Sequence, residues 1–205
     1  MFLLSIECSV QKTGIAILQD CTVLEKKIWK SKDTSREILP AIDNLFKSTG
    51  MKPQMFDYFV VSSGPGSWTG IRLGLSIAYG LSIADDKKVY GISSLECIAY
   101  KFKKDSYVGV VLPSIGDFVH YVLLKKPSEL EKKHVKIYSC RIDKLIQKMA
   151  KAEIIASPSK KILSLFAGSG KSLKTVFPDP VLNAQLAIVR IKNHVNPKNH
   201  PYYEK

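Results

Sequence analysis

The sequence lacks the cysteine and histidine patterns that usually form metal or redox sites. Its 4 cysteines and 4 histidines include no C-x-x-C, H-x-x-x-H or H-E-x-x-H pair, so we expect no metal site and no catalytic cysteine. A chain of 205 residues is long enough to build its core without disulfides. The thiols are therefore expected to be reduced and mostly buried.

The sequence also has no apolar run long enough to span a bilayer. The longest stretch, residues 71–84, is too short and carries Arg72. The N-terminal residues reach Glu7 too early for the apolar region of a secretory signal. We therefore expect a cytoplasmic protein that makes no contact with a membrane.

Acidic residues are few relative to basic ones, and the net charge is +13. The excess is concentrated in residues 105–205, which hold 17 Lys+Arg against 8 Asp+Glu, whereas residues 1–104 hold 14 against 10. A solvated, lysine-rich surface would account for this charge. So would a surface that attracts a polyanion such as tRNA, and charge alone does not decide between them.

The apolar pattern of residues 1–104 predicts three consecutive strands, followed by helices that alternate with strands. That order is typical of an RNase H-like lobe. Pro40 predicts that the first helix begins or kinks there, and Gly50 predicts its end. The strands are predicted at residues 2–8, 14–18, 22–29, 56–61 and 88–92, and the later helices at 67–84 and 93–101.

Residues 105–205 repeat this order in a less regular form. Strands are predicted at 108–112, 118–124, 135–139, 154–155 and 162–166, and helices at 141–151 and 182–192. We therefore expect a second, degenerate RNase H-like lobe that ends in the C-terminal helix. Two such lobes in tandem predict an α/β protein with mixed sheets flanked by helices, the architecture of actin-like ATPases.

The most informative segment joins the strand at 56–61 to the next helix. It reads Gly64-Pro65-Gly66-Ser67-Trp68-Thr69-Gly70-Ile71-Arg72-Leu73-Gly74. Backbone N–H groups at such a helix N-terminus can bind an anion. However, G-x-G-x-x-G fails at Thr69, no Gly-Lys-Ser/Thr follows, and a P-loop ending at Gly170-Lys171-Ser172 would need glycine at Leu165. The spacing alone favours a tight turn with a Ser or Thr N-cap.

This segment resembles the hallmark of the TsaB (YeaZ) family, G-P-G-S-[FW]-T-G-[ILV]-R-[ILV]-G directly after a strand. Residues 64–74 match it at every position. The resemblance is close over residues 1–100 and weak from about 114 to 180. It also includes Leu39-Pro40, Tyr90-Gly91-Ile92-Ser93-Ser94-Leu95, Val111-Leu112-Pro113 and Pro201-Tyr202-Tyr203.

The resemblance implies a two-lobe fold of the actin/hexokinase-type (ASKHA) superfamily. It implies pairing with a TsaD-like catalytic subunit, which transfers threonylcarbamoyl to adenosine in tRNA, and with a TsaE-like ATPase. It further implies that tRNA is reached through the complex. The sequence leaves open whether the isolated protein is a homodimer.

Two departures from the family pattern argue against catalysis. The first strand reads Ile6-Glu7-Cys8-Ser9 where the family has I-D-T-[AS], and residues 116–121 replace its D-A-R-x-G-E-V-Y run. An ATPase of this superfamily needs Asp and glycine-rich hairpins in both lobes, and both hairpins are altered. The carboxylate set of a nuclease and the nucleophile elbow of a peptidase are also missing. We therefore expect no catalytic residues and no cofactor.

The helix at 69–84 carries Arg72 as its only charge and is apolar nearly all round. Either the first helix and the second lobe cover it, or a partner does. The partner hypothesis predicts an interface formed by Ile38, Ile42, Leu45, Ile71, Arg72, Gly74, Leu75 and Ala78.

Two other functions stay open on the sequence alone. One is a nucleotide-binding actin-like enzyme that holds phosphates with residues 64–70 and 168–170. The other is a tRNA-binding module that uses the basic second half.

Overall fold

The computed structural model describes residues 1–102, 106–197 and 199–202. They form two units, which are described separately. Unit 1 comprises Met1–Ser94 together with the segment that begins at Pro178, and unit 2 comprises Leu95–Phe177.

Unit 1 is built on a five-stranded sheet in the order β3-β2-β1-β4-β5. The first three strands pair antiparallel, whereas β1–β4 and β4–β5 pair parallel. Parallel neighbours require crossover connections, which two helices supply. This topology confirms the predicted RNase H-like lobe. The elements are β1 (Phe2–Glu7), β2 (Lys12–Gln19), β3 (Thr22–Lys30), α1 (Thr34–Thr49), β4 (Tyr58–Gly64), α2 (Trp68–Ser82) and β5 (Lys88–Ser93).

Helix α1 begins six residues before Pro40. The Asp33 side chain accepts a hydrogen bond from the Arg36 N–H at 3.4 Å and caps the first turn. The helix ends at Gly50, whose φ of 68° is left-handed, as the sequence predicts. Both helices cover one face of the sheet, and their apolar side chains join those of β1, β2 and β4 in one core cluster.

Unit 2 repeats the topology of unit 1, with a sheet in the order β10-β9-β6-β7-β8. The β6–β7 and β7–β8 pairs are antiparallel, and the β6–β9 and β9–β10 pairs are parallel. The tandem repeat is therefore confirmed. The elements are α3 (Ser94–Tyr100), β6 (Val108–Pro113), β7 (Phe118–Leu124), β8 (Tyr138–Arg141), α4 (Leu145–Lys148), β9 (Ile154–Ser157), α5 (Lys160–Ser164) and β10 (Ser172–Thr175).

Three predictions for unit 2 are wrong in detail. Residues 162–166, predicted as a strand, lie in and just after α5, because Ser159 caps a helical turn there. Strand β8 starts at Tyr138 rather than at residue 135, and the Val135 N–H instead donates to Glu96 at 2.9 Å. The helix predicted at 141–151 is only a 3-10 turn, Ile142–Lys144, followed by α4. Strand β10 was not predicted.

The C-terminal helix α6 (Pro180–Lys192) belongs to unit 1, which differs from the predicted division at residue 104. The physical reason is that the sheet of unit 1 has two apolar faces. Ala16 and Leu18 point away from α1 and α2, and Ala184 of α6 packs against them. A helix that sequence order assigns to the second lobe is therefore required to complete the first.

The backbone after α6 runs along the β5 edge of the sheet. The Tyr90 hydroxyl donates to the Val195 carbonyl at 2.6 Å, and the Gly91 N–H donates to Asn199 Oδ1 at 3.0 Å. The Tyr202 N–H then reaches the Ser63 carbonyl at 2.8 Å. Of the terminal motif residues, Tyr203 lies outside the described residues. None of the described helices is both long and apolar enough to cross a bilayer.

Candidate functional site: the glycine loop and the Glu7 cluster

The glycine loop, residues 64–70, packs on the turn that follows β1. The Ser67 N–H donates to the Ser9 carbonyl at 2.7 Å, and the Cys8 thiol donates to the Gly70 carbonyl at 3.0 Å. Ser67 also caps α2, because its hydroxyl accepts from the Gly70 N–H at 3.2 Å. An N–H group that an anion would need at this helix start is therefore already bonded within unit 1.

The loop glycines are required by this close packing. A Cβ on Gly66 would overlap the Ser9 carbonyl oxygen, and a Cβ on Gly70 would overlap the Cys8 carbonyl oxygen. Both obstacles are backbone atoms, which cannot move aside as a flexible side chain would. The motif that resembles a phosphate loop is thus explained by packing between a helix and a turn.

We predict that Gly70→Ala destabilises the protein by about 2 kcal/mol or more, because the added methyl group collides with backbone. Gly80→Ala, on the same helix, is the matched control. Nothing lies within 4 Å of a Cβ at Gly80, and replacing an exposed helical glycine should stabilise by about 0.5–1 kcal/mol. Urea unfolding of the two variants measures both effects, and equal changes would contradict the packing argument.

Glu7 is the last residue of β1 and is fully buried. Its Oε1 accepts from the Ser9 N–H at 2.8 Å and the Ser9 hydroxyl at 2.6 Å, and its Oε2 accepts from Asn183 Nδ2 at 2.8 Å. The Ser94 hydroxyl donates to the Ser9 hydroxyl at 2.8 Å. This Glu7 cluster (Glu7, Ser9, Ser94 and Asn183) joins β1 and the end of β5 to α6.

Burial dominates the electrostatics of the cluster. It raises the pKa of Glu7, and the hydrogen bonds from Ser9 and Asn183 only partly oppose that shift. Burial, with the charge of Glu7, also raises the pKa of the Cys8 thiol to about 12. Cys8 is therefore a poor nucleophile at neutral pH. Among the described residues, no group of three or more His, Cys, Asp or Glu side chains is arranged to hold a metal ion.

We predict that Glu7→Gln becomes more stable relative to the wild type as pH rises. Because the pKa of Glu7 is higher in the folded protein than in the unfolded one, folding favours the protonated carboxyl. This contribution to the free energy of unfolding is largest at low pH and is lost as pH rises through the folded pKa. Glutamine has no proton to lose. Its amide can also donate to Asn183 Oδ1, which has no donor among the described residues, if Asn183 turns over.

Thermal unfolding at pH values from about 5 to 9 measures this difference. Glu7→Ala is the companion variant, and it should destabilise at every pH by about 2 kcal/mol or more, because it leaves Asn183 unpaired and opens a cavity. A wild-type advantage over Glu7→Gln that grows with pH would contradict the prediction.

The predicted partner interface is largely buried inside unit 1. Seven of the eight predicted residues lie in its interior: Ile38, Ile42, Leu45, Ile71, Gly74, Leu75 and Ala78. Their sequence pattern marks the face of each helix that packs on the sheet, so in this structure they stabilise the lobe and do not form an accessible surface. Arg72 is exposed.

The exposed face of α2 carries Arg72 together with four residues outside the predicted interface. We call it the outer stripe of α2, defined by Trp68, Arg72, Ser76, Gly80 and the following Ile83. The Arg72 guanidinium lies 4.0 Å from the centroid of the Trp68 ring. Trp68 is 51% exposed and Ile83 is 82% exposed. The four-residue spacing of the small residues Ser76 and Gly80 is visible in the sequence and indicates that a second helix could approach α2 closely.

Comparisons with known proteins agree with this geometry. The family model "TsaD: tRNA N6-adenosine threonylcarbamoyltransferase" matches residues 29–116. The chain is 37% identical over 100 residues to "tRNA threonylcarbamoyladenosine biosynthesis protein TsaB" of Bacillus subtilis, which covers 48% of this chain and 44% of that protein. It is 28% identical to a tRNA N6-adenosine threonylcarbamoyltransferase of Wigglesworthia glossinidia brevipalpis, over 88% of this chain and 59% of that one. In these matches the chain spans about half the length of its relatives.

Among solved structures, YeaZ from Pseudomonas aeruginosa superposes with a TM-score of 0.76, covering 99% of each chain at 16% identity. That likeness shows the fold. The repeated sheet order and this superposition show an α/β protein of two RNase H-like lobes. Residues 64–74 match the TsaB (YeaZ) pattern at every position, and the first half of the chain is similar to the TsaB protein of Bacillus subtilis.

Proposed function

We propose that the chain is a non-catalytic partner subunit in the biosynthesis of threonylcarbamoyladenosine in tRNA, and that it binds a TsaD-like subunit through the outer stripe of α2. The names of the similar proteins support a role in this biosynthesis. The exposed side chains of the outer stripe are the observation that supports α2 as the binding surface. A TsaE-like ATPase is the third component in this proposal, tRNA is reached through the complex, and the complex works in the cytoplasm.

The chemistry of the stripe supports a protein partner. It combines an exposed indole, an arginine stacked on it and an exposed isoleucine at the far end of the helix. Trp and Arg are enriched where interfaces have their strongest contacts. Between them, Ser76 and Gly80 are small enough for a second helix to approach closely. A standard interface buries roughly 800 Å² per partner, so α2 would need help from a neighbouring surface. Leu39 of α1 is another exposed apolar side chain.

The absence of catalysis is proposed because the catalytic features of the superfamily are replaced by packing. Glu7 is enclosed by Ser9 and Asn183, and the Ser67 N–H is bonded to the Ser9 carbonyl. These contacts enclose the Glu7 carboxylate and occupy the Ser67 N–H, groups that Mg²⁺ and phosphate would otherwise use.

We predict that Ser76→Glu/Ile83→Glu weakens binding to the TsaD-like protein of the same organism at least about tenfold, because two carboxylates would be desolvated at the interface. Titration calorimetry or co-purification measures the loss. Ile115→Glu/Ser128→Glu, on exposed positions of unit 2, is the control with the same change of charge. Full binding by the stripe variant would refute the surface, and a wild-type chain that ignores the TsaD-like protein would refute the function.

Leu75 is one of the interface residues predicted from the sequence, but Leu75→Glu would not test binding. Leu75 is only 6% exposed and belongs to the core cluster of unit 1. Its substitution should lower folding stability, whether or not a partner binds α2.

We predict that the isolated chain shows no heat of binding when ATP and Mg²⁺ are titrated to about 1 mM, because the Glu7 carboxylate and the Ser67 N–H are already bonded within unit 1. A titration to this concentration detects a Kd near 1 mM, which corresponds to about 4 kcal/mol of binding free energy.

A homodimer that uses the same stripe should compete with the TsaD-like protein. Tight ATP binding, or hydrolysis by the isolated chain, would support the nucleotide-binding alternative and refute the non-catalytic role.

A further inference from the structure

The strongest unassigned feature of unit 2 is the surface around its edge strand β8. Residues 136–151 contain five basic side chains and one acidic one. The acid, Asp143, is paired with Arg141 at 3.7 Å. Lys136, Lys144, Lys148 and Lys151 are all exposed. The positive charge of this segment therefore has little internal compensation, and it faces solvent.

The same segment contains an aromatic ring, that of Tyr138. Tyr138 is 45% exposed and stacks on Tyr121, with ring centroids 5.6 Å apart and an interplanar angle of 24°. Tyr121 is only 8% exposed and belongs to the core cluster of unit 2. The core thus holds Tyr138 from one side in a fixed orientation, while much of the ring stays accessible.

A cation lies over this ring. The Lys136 ammonium is 5.3 Å from the Tyr138 centroid. Two residues further along the same face of β8 comes the half-buried Cys140. Lys148 is an exposed lysine of α4, which follows β8 in the sequence. The Tyr138 surface is defined by Lys136, Tyr138, Cys140 and Lys148.

We propose that the Tyr138 surface binds RNA, with an unpaired base stacked on Tyr138 and the two lysines in contact with the flanking phosphates. Aromatic side chains beside basic ones are the usual means of holding single-stranded nucleic acid, because every base has a π-face and every nucleotide a charge. Lys136 has a long, flexible stem, so it turns from the ring to a phosphate when a base takes its place.

This inference depends on unit 2 alone and goes beyond the proposed partner function. Binding of a TsaD-like protein is assigned to α2 of unit 1, so the two assignments can fail independently. RNA is preferred to an anionic membrane because Tyr138 is a rigid, half-covered ring on a strand. It is not an apolar side chain free to insert into lipid.

The test uses the full chain and a fluorescently labelled, unmodified tRNA transcript in an anisotropy titration at about 50 and 200 mM salt. The wild type is expected to bind at low salt and to lose affinity steeply as salt rises, because phosphate contacts release counterions. Lys136→Glu/Lys148→Glu should weaken binding at least about tenfold and reduce the salt slope by about two. Lys160→Glu/Lys161→Glu, on exposed positions of α5, is the matched control and should change binding far less.

The ring is tested separately. Tyr138→Ala should weaken binding to a stem-loop with unpaired bases about tenfold and leave binding to a blunt duplex nearly unchanged, whereas Tyr138→Phe should keep wild-type affinity for both. Thermal unfolding confirms that each variant is folded. Co-purification with the TsaD-like protein should be unaffected by all of these changes.

Several results would overturn the inference. They are no RNA binding by the wild type at low salt, an equal loss in the α5 control, and a Tyr138→Ala variant that binds the stem-loop normally. Binding to phosphatidylserine vesicles that depends on Tyr138, without RNA binding, would assign the surface to a membrane instead.

Discussion

The start of α2 rests directly on the turn that follows β1, and most of the local architecture of unit 1 depends on that contact. Ser67 bonds the Ser9 carbonyl, and the glycines at 66 and 70 leave no room for a side chain between helix and turn. In an enzyme that binds phosphate, a gap at this place would admit the ligand. Here the protein's own backbone occupies it, and this packing positions the start of α2.

The same contact places Glu7 where water cannot reach it. A buried carboxyl is costly unless it is bonded or protonated, and Ser9 and Asn183 supply the bonds. Asn183 lies on α6, so the carboxylate at the end of β1 receives a hydrogen bond from a helix far along the sequence. This polar link complements the apolar packing of Ala184 and explains why α6 completes unit 1 although sequence order assigns it to the second lobe.

The sequence predicted the topology well, because strand order and helix alternation follow from apolar periodicity. For the site it leaves two interpretations open, in which α2 is covered either by the chain itself or by a partner. The structure buries Ile38, Leu75 and Ala78 in the core of their own lobe. An apolar helix pattern gives the buried face but not what covers it. Residues 162–166 have the apolar density of a strand, yet the Ser159 cap directs them into a helix. The hydrogen bond between Glu7 and Asn183 joins positions 176 apart, a separation that no local pattern reveals.

The division of α2 into two faces also changes what a partner could recognise. The buried face carries the side chains that determine the fold, so substitutions there affect stability first and binding only as a consequence. The outer stripe has small residues at Ser76 and Gly80, between Trp68 at one end and Ile83 at the other. Ser76 and Gly80 are exposed, and nothing described lies within 4 Å of a Cβ at Gly80, so the packing of unit 1 does not explain that small size. A partner that packs against α2 would account for it. The apolar residues of α2 are explained by the core of unit 1, so the binding role is inferred from the outer stripe alone.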